Sequence, residues 1–318
     1  MRAGLLALCM GLAGCGALTA PQLDAGAHGD GGSDGEWTEL SLPGGLTAPF
    51  QALASQPGAV FALVGEDTVL RSGGGQFEVV SASDTPVVAY FAVAPSGSVA
   101  FTSFQTLFVC PGNCTSVDAF DQLSLPRTPI ALCSGAEGLA AMTTAADAGA
   151  ALFVEDAGSW STGRLLSVTS PRSCARARQG VFITEQGGVF NVETGALERV
   201  DVPGRDGALE PWRLAASVGD AVFIASDLGG AAVRDGTGIW RASSVATSDV
   251  TALAVEADDS GWLASGTALW RFDGTAWASA GSAPSTLTTV AGLALQPGAV
   301  YAGGLDAAGH PRIFRRPR

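Results

Sequence analysis

Residues 261–277 read GWLASGTALWRFDGTAW, and the fold of the whole chain can be worked out from this stretch. Apolar residues alternate with small or polar ones around two tight turns, a Ser-Gly pair at 265–266 and an Asp-Gly pair at 273–274. Alternation with a period of two predicts β-strands, and glycine in a short turn predicts a hairpin because it tolerates the positive φ required there. The stretch therefore predicts three short antiparallel strands joined by hairpins.

The same pattern recurs along the chain at an almost constant interval. Each copy contains a small residue followed by an apolar marker, and the seven markers are Val60, Val99, Leu139, Val181, Val222, Trp262 and Val300. The intervals between successive markers are 39, 40, 42, 41, 40 and 38 residues. A small apolar run precedes each marker and two more short strands follow it. Four strands in about forty residues are typical of a propeller blade.

We therefore predict an all-β fold for residues 36–318, a seven-bladed β-propeller of four-stranded antiparallel blades. The last repeat ends after three strands, whereas the segment containing Leu40 and Leu42 precedes the first repeat and resembles a fourth strand. We expect this N-terminal strand to pair with the segment around Ile313 and to close the ring, because closure removes exposed strand edges. Two β-sandwiches in tandem are the alternative, but they do not predict a period kept through seven units.

Composition narrows the possible classes of function. The net charge of −13 argues against nucleic-acid binding, which needs a basic face to neutralise phosphates. All 17 basic residues are arginine, so no lysine can form a Schiff base. The two histidines, His28 and His310, do not allow a serine–histidine–acid triad or a histidine-rich metal site to be assembled. We expect no catalytic residues, no metal and no cofactor.

The N-terminus carries the most specific motif of the sequence. Met1-Arg2 and an apolar run over residues 3–13 form a secretion signal that is too short to span a bilayer as a mature helix. At the end of this signal, the residues Leu12-Ala13-Gly14-Cys15 resemble the lipobox of bacterial lipoproteins. That resemblance implies a signal peptide over residues 1–14 and an acylated Cys15 as the first mature residue. An ordinary signal peptide that happens to contain cysteine is the alternative.

Residues 15–35 join the lipidated cysteine to the predicted propeller. Glycine, alanine and acidic residues dominate this segment, which is typical of a flexible tether. His28, Asp30 and Asp34 match no calcium-loop spacing, so a solvated acidic linker is the interpretation we adopt. Gly16-Ala17 follow the cysteine, and the family rule for such residues implies the outer membrane. We expect a bacterial envelope protein attached to the membrane through its lipid.

Four cysteines lie within the predicted propeller, and a secreted protein with an even number of them is expected to form disulfides. Cys110 and Cys114 flank a three-residue turn and are predicted to pair. Cys133 and Cys174 then pair by default, and both fall near the first strands of neighbouring repeats. A four-thiolate zinc site is the alternative, although its spacing would be irregular.

Two turns resemble a motif of known propellers. Asp156-Ala157-Gly158-Ser159-Trp160 and Asp273-Gly274-Thr275-Ala276-Trp277 are similar to degenerate Asp-boxes of sialidase-like propellers. In that family the motif is a structural turn remote from catalysis. A sialidase would also need an arginine cluster and a tyrosine nucleophile, and the tyrosines of this chain are Tyr90 and Tyr301.

Three residues are candidates for ligand contact. Arg176 and Arg178 share one face if residues 174–178 form an inner strand, and they could hold an anionic ligand near the channel. The alternative is that they pair with carboxylates of an adjacent blade. Trp212 follows a charged loop and is the best candidate for an exposed aromatic contact, with a core position as its alternative.

Two hypotheses for function follow. The first is a non-catalytic, envelope-anchored binding or scaffold lipoprotein whose partner is a protein or a glycan, since propellers present rigid loops and a shallow end face. The second is a glycan-acting hydrolase with a sialidase-like propeller, suggested by the Asp-box-like turns and the arginine pair.

Overall fold

A computed structural model of the chain describes residues 36–318 except 66–67, 74, 81–87, 95–96, 113, 115–119, 136, 146–148, 157–158, 162, 206–208, 246–248 and 257–259. The predicted signal peptide, Cys15 and the predicted tether lie outside these residues, as does part of the Asp156–Trp160 turn. In the part of the chain that is described, no helix is long and apolar enough to cross a membrane.

The regular secondary structure of the described residues is entirely β, and it is arranged as seven antiparallel sheets. Blade 1 consists of β2 (Phe50–Gln56), β3 (Ala59–Val64), β4 (Thr68–Gly73) and β5 (Gln76–Val79). Blade 2 consists of β6 (Val88–Val93), β7 (Val99–Ser103), β8 (Thr106–Cys110) and β9 (Asp121–Ser124). Blade 3 consists of β10 (Pro129–Gly135), β11 (Gly138–Thr144), β12 (Ala150–Asp156), β13 (Ser159–Trp160) and β14 (Arg164–Leu166). Blade 4 consists of β15 (Cys174–Ala177), β16 (Gly180–Glu185), β17 (Gly188–Asn191) and β18 (Ala196–Arg199).

The remaining three blades follow the same order. Blade 5 consists of β19 (Trp212–Val218), β20 (Ala221–Ser226), β21 (Gly230–Arg234) and β22 (Trp240–Ser244). Blade 6 consists of β23 (Ala252–Val255), β24 (Gly261–Ser265), β25 (Ala268–Phe272) and β26 (Trp277–Ser282). Blade 7 consists of β27 (Leu287–Gln296), β28 (Ala299–Asp306), β29 (Pro311–Pro317) and the N-terminal β1 (Thr38–Glu39). The predicted seven-bladed β-propeller is confirmed.

All seven sequence markers lie on the second strands of their blades, as the four-strand repeat predicted. These strands are mainly apolar and mostly buried, because a neighbouring blade covers each of their faces, and β3 and β20 are buried along their whole length. The outermost strands β9 and β18 are mostly exposed. The core therefore consists of layers between blades rather than one central cluster.

The two ends of the ring carry different connections. The turns between first and second strands and between third and fourth strands lie at one end, named the AB face. The turns between second and third strands and the connections between blades lie at the opposite end, named the BC face. Fourth strands run from the AB face towards the BC face, so that the described chain begins, at Glu36, on the AB face.

Blade 3 departs from the predicted regular four strands. Its fourth strand is broken into β13 and β14, which both pair with β12. Gly163 lies in the break, where a Cβ atom would come within 2.7 Å of the ring of Phe153. The interruption thus lets the chain pass close to an aromatic ring that any larger residue would displace.

The N-terminal segment closes the ring. Thr38 and Glu39 pair with Arg315 and Phe314, and the Leu40 amide donates a hydrogen bond to the Ile313 carbonyl at 2.9 Å. The predicted pairing is confirmed up to Leu40, but it ends earlier than expected. At Ser41 the chain turns to blade 1, where the Ser41 carbonyl accepts a bond from the Phe77 amide at 3.2 Å. The segment therefore joins blade 7 to blade 1.

Aromatic packing holds the start of this segment. The Trp37 indole N–H donates to the Ser282 carbonyl of blade 6 at 3.1 Å. The Arg316 guanidinium lies 5.0 Å from the centroid of the Trp37 ring and 5.4 Å from that of Trp262. A cation between two indole rings is favourable, most of all where it is shielded from water.

Replacing Trp37 with alanine is expected to lower the free energy of unfolding by about 2 kcal/mol, because the half-buried ring should cost about half as much as a core tryptophan. Trp37→Phe keeps a ring beside Arg316 and loses the bond to Ser282, so we expect about 1 kcal/mol. Urea titration of both variants measures the difference. An alanine variant as stable as the native protein would show that Trp37 does not hold the closing segment.

The four cysteines form the two predicted disulfides. Cys110 and Cys114 pair within blade 2, with a Cα–Cα distance of 5.9 Å. Cys133 on β10 and Cys174 on β15 pair between blades 3 and 4, with a Cα–Cα distance of 4.9 Å. Because each sulfur is bonded to another, the four-thiolate zinc alternative is wrong.

Candidate functional site

The seven first strands surround a central channel with a volume of about 650 Å³. Its wall is mainly alanine and leucine, with one leucine contributed by each of five blades: Leu53, Leu132, Leu214, Leu253 and Leu293. The charged side chains of the lining are Arg213 and Asp249. Serine and threonine residues also line it, so the channel presents polar as well as apolar surface.

Charged side chains surround the mouth of the channel on the BC face. Arg213 contacts Asp227 at 3.2 Å, and Arg172 contacts the other oxygen of the same carboxylate at 3.5 Å. Both arginine side chains are about half exposed. Exposed ion pairs of this kind contribute little to stability, so the groups can exchange partners at low cost.

The channel is constricted near the AB face beside blades 3, 4 and 5. The Ser217 hydroxyl of blade 5 donates to the Ser134 carbonyl of blade 3 at 3.4 Å, passing over the inner strand of blade 4. Gly135 permits this approach, since a Cβ there would lie 1.7 Å from the Arg176 carbonyl oxygen. The inner strands of blades 3 and 5 therefore approach each other near the AB face.

Arg176 and Arg178 lie in a groove between blades 3 and 4 rather than in the channel. This groove has a volume of about 430 Å³ and is also lined by Arg164. The Arg176 guanidinium donates to the Leu139 carbonyl at 2.8 Å. Burial lowers the pKa of Arg176, while Glu155 and other nearby carboxylates partly oppose that shift.

Arg178 remains largely exposed and contacts carboxylates on both sides of blade 4. Its distances are 3.7 Å to Glu137 of blade 3 and 3.5 Å to Asp220 of blade 5. Both arginines of the predicted pair thus have partners in adjacent blades: Arg178 contacts carboxylates, as the alternative expected, whereas Arg176 donates to a backbone carbonyl. Their role in binding an anionic ligand stays a prediction, and such a ligand would have to compete with these partners.

Trp212 does not offer an exposed contact, and it occupies the core position that was the alternative. Its side chain is completely buried at the start of β19. It packs with Phe182 and Val189 of blade 4 in a core cluster between blades. The charged residues that precede Trp212 in the sequence therefore do not indicate where its ring lies.

A polar cluster between blades 4 and 5 was missed by the sequence analysis. Glu198 on β18 receives the Arg234 guanidinium through two bonds, at 2.9 and 3.3 Å. The Trp240 indole and the Asn191 amide donate to the same carboxylate at 2.7 and 2.9 Å. Burial raises the pKa of Glu198, but these hydrogen bonds outweigh it and hold the pKa below its ordinary value.

One signal could have pointed to this cluster. Glu198 and Arg234 are 36 residues apart, which is close to one repeat, and residues one repeat apart occupy neighbouring blades. The interval does not show that the side chains point at each other. We assign the cluster a structural role because the Arg234 side chain is only 10% exposed.

The Asp273 turn is a local hydrogen-bonded unit. One carboxylate oxygen of Asp273 accepts bonds from the Thr275 amide, the Thr275 hydroxyl and the Ala276 amide, at 2.8, 2.7 and 2.9 Å. Asp235 makes the corresponding bonds to Thr237 and Ile239 in blade 5, a turn that the sequence analysis did not single out. Both turns lie between third and fourth strands and are structural.

Stability is expected to fall as the pH drops from about 3.8 to about 2, because hydrogen bonds from Thr275 and Ala276 hold the pKa of Asp273 at about 2 against an ordinary 3.8. A carboxylate with a lowered folded-state pKa stabilises the protein above its unfolded-state pKa, and that contribution disappears as the pH falls. Urea midpoints measured across this range test the expectation. Asp273→Asn keeps an acceptor oxygen without the charge, so its pH dependence should be shallower, and an identical slope would contradict the assignment.

Solved structures match this fold over most of the chain. A structure of U3-55K has a TM-score of 0.64 at 10% identity and covers 90% of this chain and 99% of that one. The WD40 repeats of RRP9 match with a TM-score of 0.64 at 10% identity, covering 90% and 98% of the two chains. The extracellular domain of the one-component system BT4673 from B. thetaiotaomicron matches with a TM-score of 0.60 at 10% identity, covering 88% of this chain and 39% of that one.

Comparisons of the sequence add no family. No family model and no curated protein matches it. At 10% identity the structural likeness concerns the fold alone. The chain is an all-β protein whose described body is a seven-bladed β-propeller.

Proposed function

We propose that this chain is a non-catalytic binding or scaffold lipoprotein of the bacterial cell envelope. The observation that carries this proposal is the channel of about 650 Å³, which opens between the blades beside the half-exposed arginines of the BC face. A cavity of this kind suits a small group of a protein or glycan partner, and the loops around it suit specific recognition.

The anchor is the second part of the proposal. Cys15 carries the lipid, and residues 16–35 connect it to the propeller at Glu36, on the AB face. The BC face is then the end of the ring opposite the point of attachment. The outer membrane is the proposed site because Gly16-Ala17 follow the cysteine.

Metabolic labelling tests the anchor. Cells grown with radiolabelled palmitate should label the native protein, and Cys15→Ala should abolish the label and release the protein from the membrane fraction. Cys9→Ala is the matched control, because Cys9 lies within the proposed signal peptide and should leave the label unchanged. Equal labelling of both variants would contradict lipidation at Cys15.

A hydrolase screen tests the absence of catalysis. Purified protein should leave a panel of chromogenic glycosides, sialosides included, unchanged. The binding function would be overturned in favour of the glycan-acting hydrolase by robust turnover of a glycoside. That turnover would have to be abolished by Arg176→Ala, Arg178→Ala or a tyrosine variant. Loss of activity would be interpreted only for variants with a native unfolding midpoint.

A further inference from the structure

The BC face carries an aromatic residue in an unfavourable backbone conformation. Phe104 is the first residue of the two-residue turn between β7 and β8, and its φ is +48°. The left-handed region is costly for a bulky L-residue because Cβ crowds the following carbonyl. The side chain is 67% exposed, so burial does not compensate for the backbone strain.

The other blades show what this turn ordinarily uses. In five blades the turn between second and third strands contains a glycine at positive φ: Gly65, Gly187, Gly229, Gly266 and Gly309. Glycine accepts this conformation without steric cost. Among the turns that the structure describes in full, blade 2 alone places a large apolar residue at such a position. An aromatic residue is not needed to form this turn, since the two-residue turn of blade 6 has Gly266 at the same position.

We infer that Phe104 is an anchor residue that inserts into an apolar pocket of a partner protein. Strained backbone and exposed aromatic rings are features that concentrate at binding sites, where a few aromatic residues supply most of the affinity. The inference rests on the proposed binding function and assigns its contact surface to blade 2.

The neighbouring connection indicates the charge of the partner. The Leu125 amide donates to the Gln105 carbonyl at 2.7 Å, so residues 125–128 run beside the Phe104 turn. Arg127 in this connection is exposed. A partner that presents an apolar pocket with an acidic rim would complement both residues. An anionic bilayer is disfavoured, because a single ring is a weak membrane anchor and the chain carries a net charge of −13.

Stability measurements separate an anchor from a core residue. Phe104→Gly and Phe104→Asn remove the ring and replace it with residues that tolerate positive φ. The unfolding temperature should stay the same or rise for both variants. A decrease of several degrees would show that the ring packs in the folded protein and would overturn the inference.

Photo-crosslinking in the cells that make the protein tests the contact. The full chain carries p-benzoylphenylalanine at position 105, with either Phe104 or Phe104→Asn beside it. We expect one protein adduct of defined mass that decreases at least tenfold in the Phe104→Asn background. Ile239→Asn is the matched control, since Ile239 is 60% exposed on the AB face, and it should leave the adduct unchanged.

The remaining outcomes count against the inference. The inference is overturned if Phe104→Asn does not reduce the adduct or if no adduct forms. It is also overturned if the adduct contains lipid or has twice the mass of the chain. Probes at Arg213 and Asp249, on the channel lining, distinguish this failure from a failure of the proposed function. If those probes capture a partner while the Phe104 test fails, the binding function stands and only the anchor assignment is lost.

Discussion

Replacing both Cys133 and Cys174 with alanine is expected to lower the free energy of unfolding by about 4 kcal/mol. The bond closes a loop with a sequence separation of 41 residues, and the chain-entropy relation gives about this value for such a loop. It also joins the inner strands of blades 3 and 4, so its loss should loosen the ring locally. Guanidinium titrations under oxidising conditions measure the difference.

The second disulfide is the matched control for this expectation. Cys110 and Cys114 have a sequence separation of 4, for which the same relation gives about 2 kcal/mol. The double alanine variant at 110 and 114 should therefore lose about half as much stability as the variant at 133 and 174. Equal losses, or a larger loss at 110 and 114, would show that loop entropy does not govern either bond.

Arg234→Ala is expected to cost about 3 kcal/mol, because it leaves the partly buried Glu198 carboxylate without its cation. Arg234 also lies 4.9 Å from the centroid of the Phe182 ring and donates to the Gln179 side chain at 2.7 Å. Its removal therefore opens the packing between blades 4 and 5. Thermal and chemical unfolding both measure the loss.

An exposed ion pair of blade 5 provides the comparison. Arg241 contacts Asp235 at 2.8 Å with its side chain 56% exposed, so Arg241→Ala should cost less than about 1 kcal/mol. Similar costs for the two arginine variants would mean that the Glu198 cluster contributes no more than a surface pair. Glu198→Gln removes the charge and keeps only one of the two acceptor oxygens, so its cost should fall between those of the two arginine variants.

The blade architecture could be predicted because its cause is local in sequence. Each second strand must be largely apolar, since both faces are covered by neighbouring blades. That requirement places Val60, Val222 and the other markers at a constant interval, and the interval is visible without a structure. The bond between Cys133 and Cys174 followed from the same period, because residues about one repeat apart lie in adjacent blades.

The side-chain environments were harder to predict. Trp212 follows a charged loop, which suggested an exposed contact, but its ring packs in the core between blades 4 and 5. Arg176 and Arg178 were placed near the channel, although alternation along β15 directs Arg176, like Cys174, towards blade 3, and Arg178 lies beyond the end of that strand. The interrupted fourth strand of blade 3 depends on the position of the Phe153 ring, which no local pattern shows.

The sequence by itself determined the number of blades, the order of their strands, the strand that closes the ring and the pairing of the cysteines. These features depend on apolar periodicity and on chain connectivity, both of which can be read from the order of residues alone. Only the tertiary structure decided that Glu198 meets Arg234, that Trp212 is buried and that Phe104 stands exposed in a strained turn. Each of these depends on the distance and direction between side chains of different strands, which the curvature of the ring sets and the order of residues does not specify.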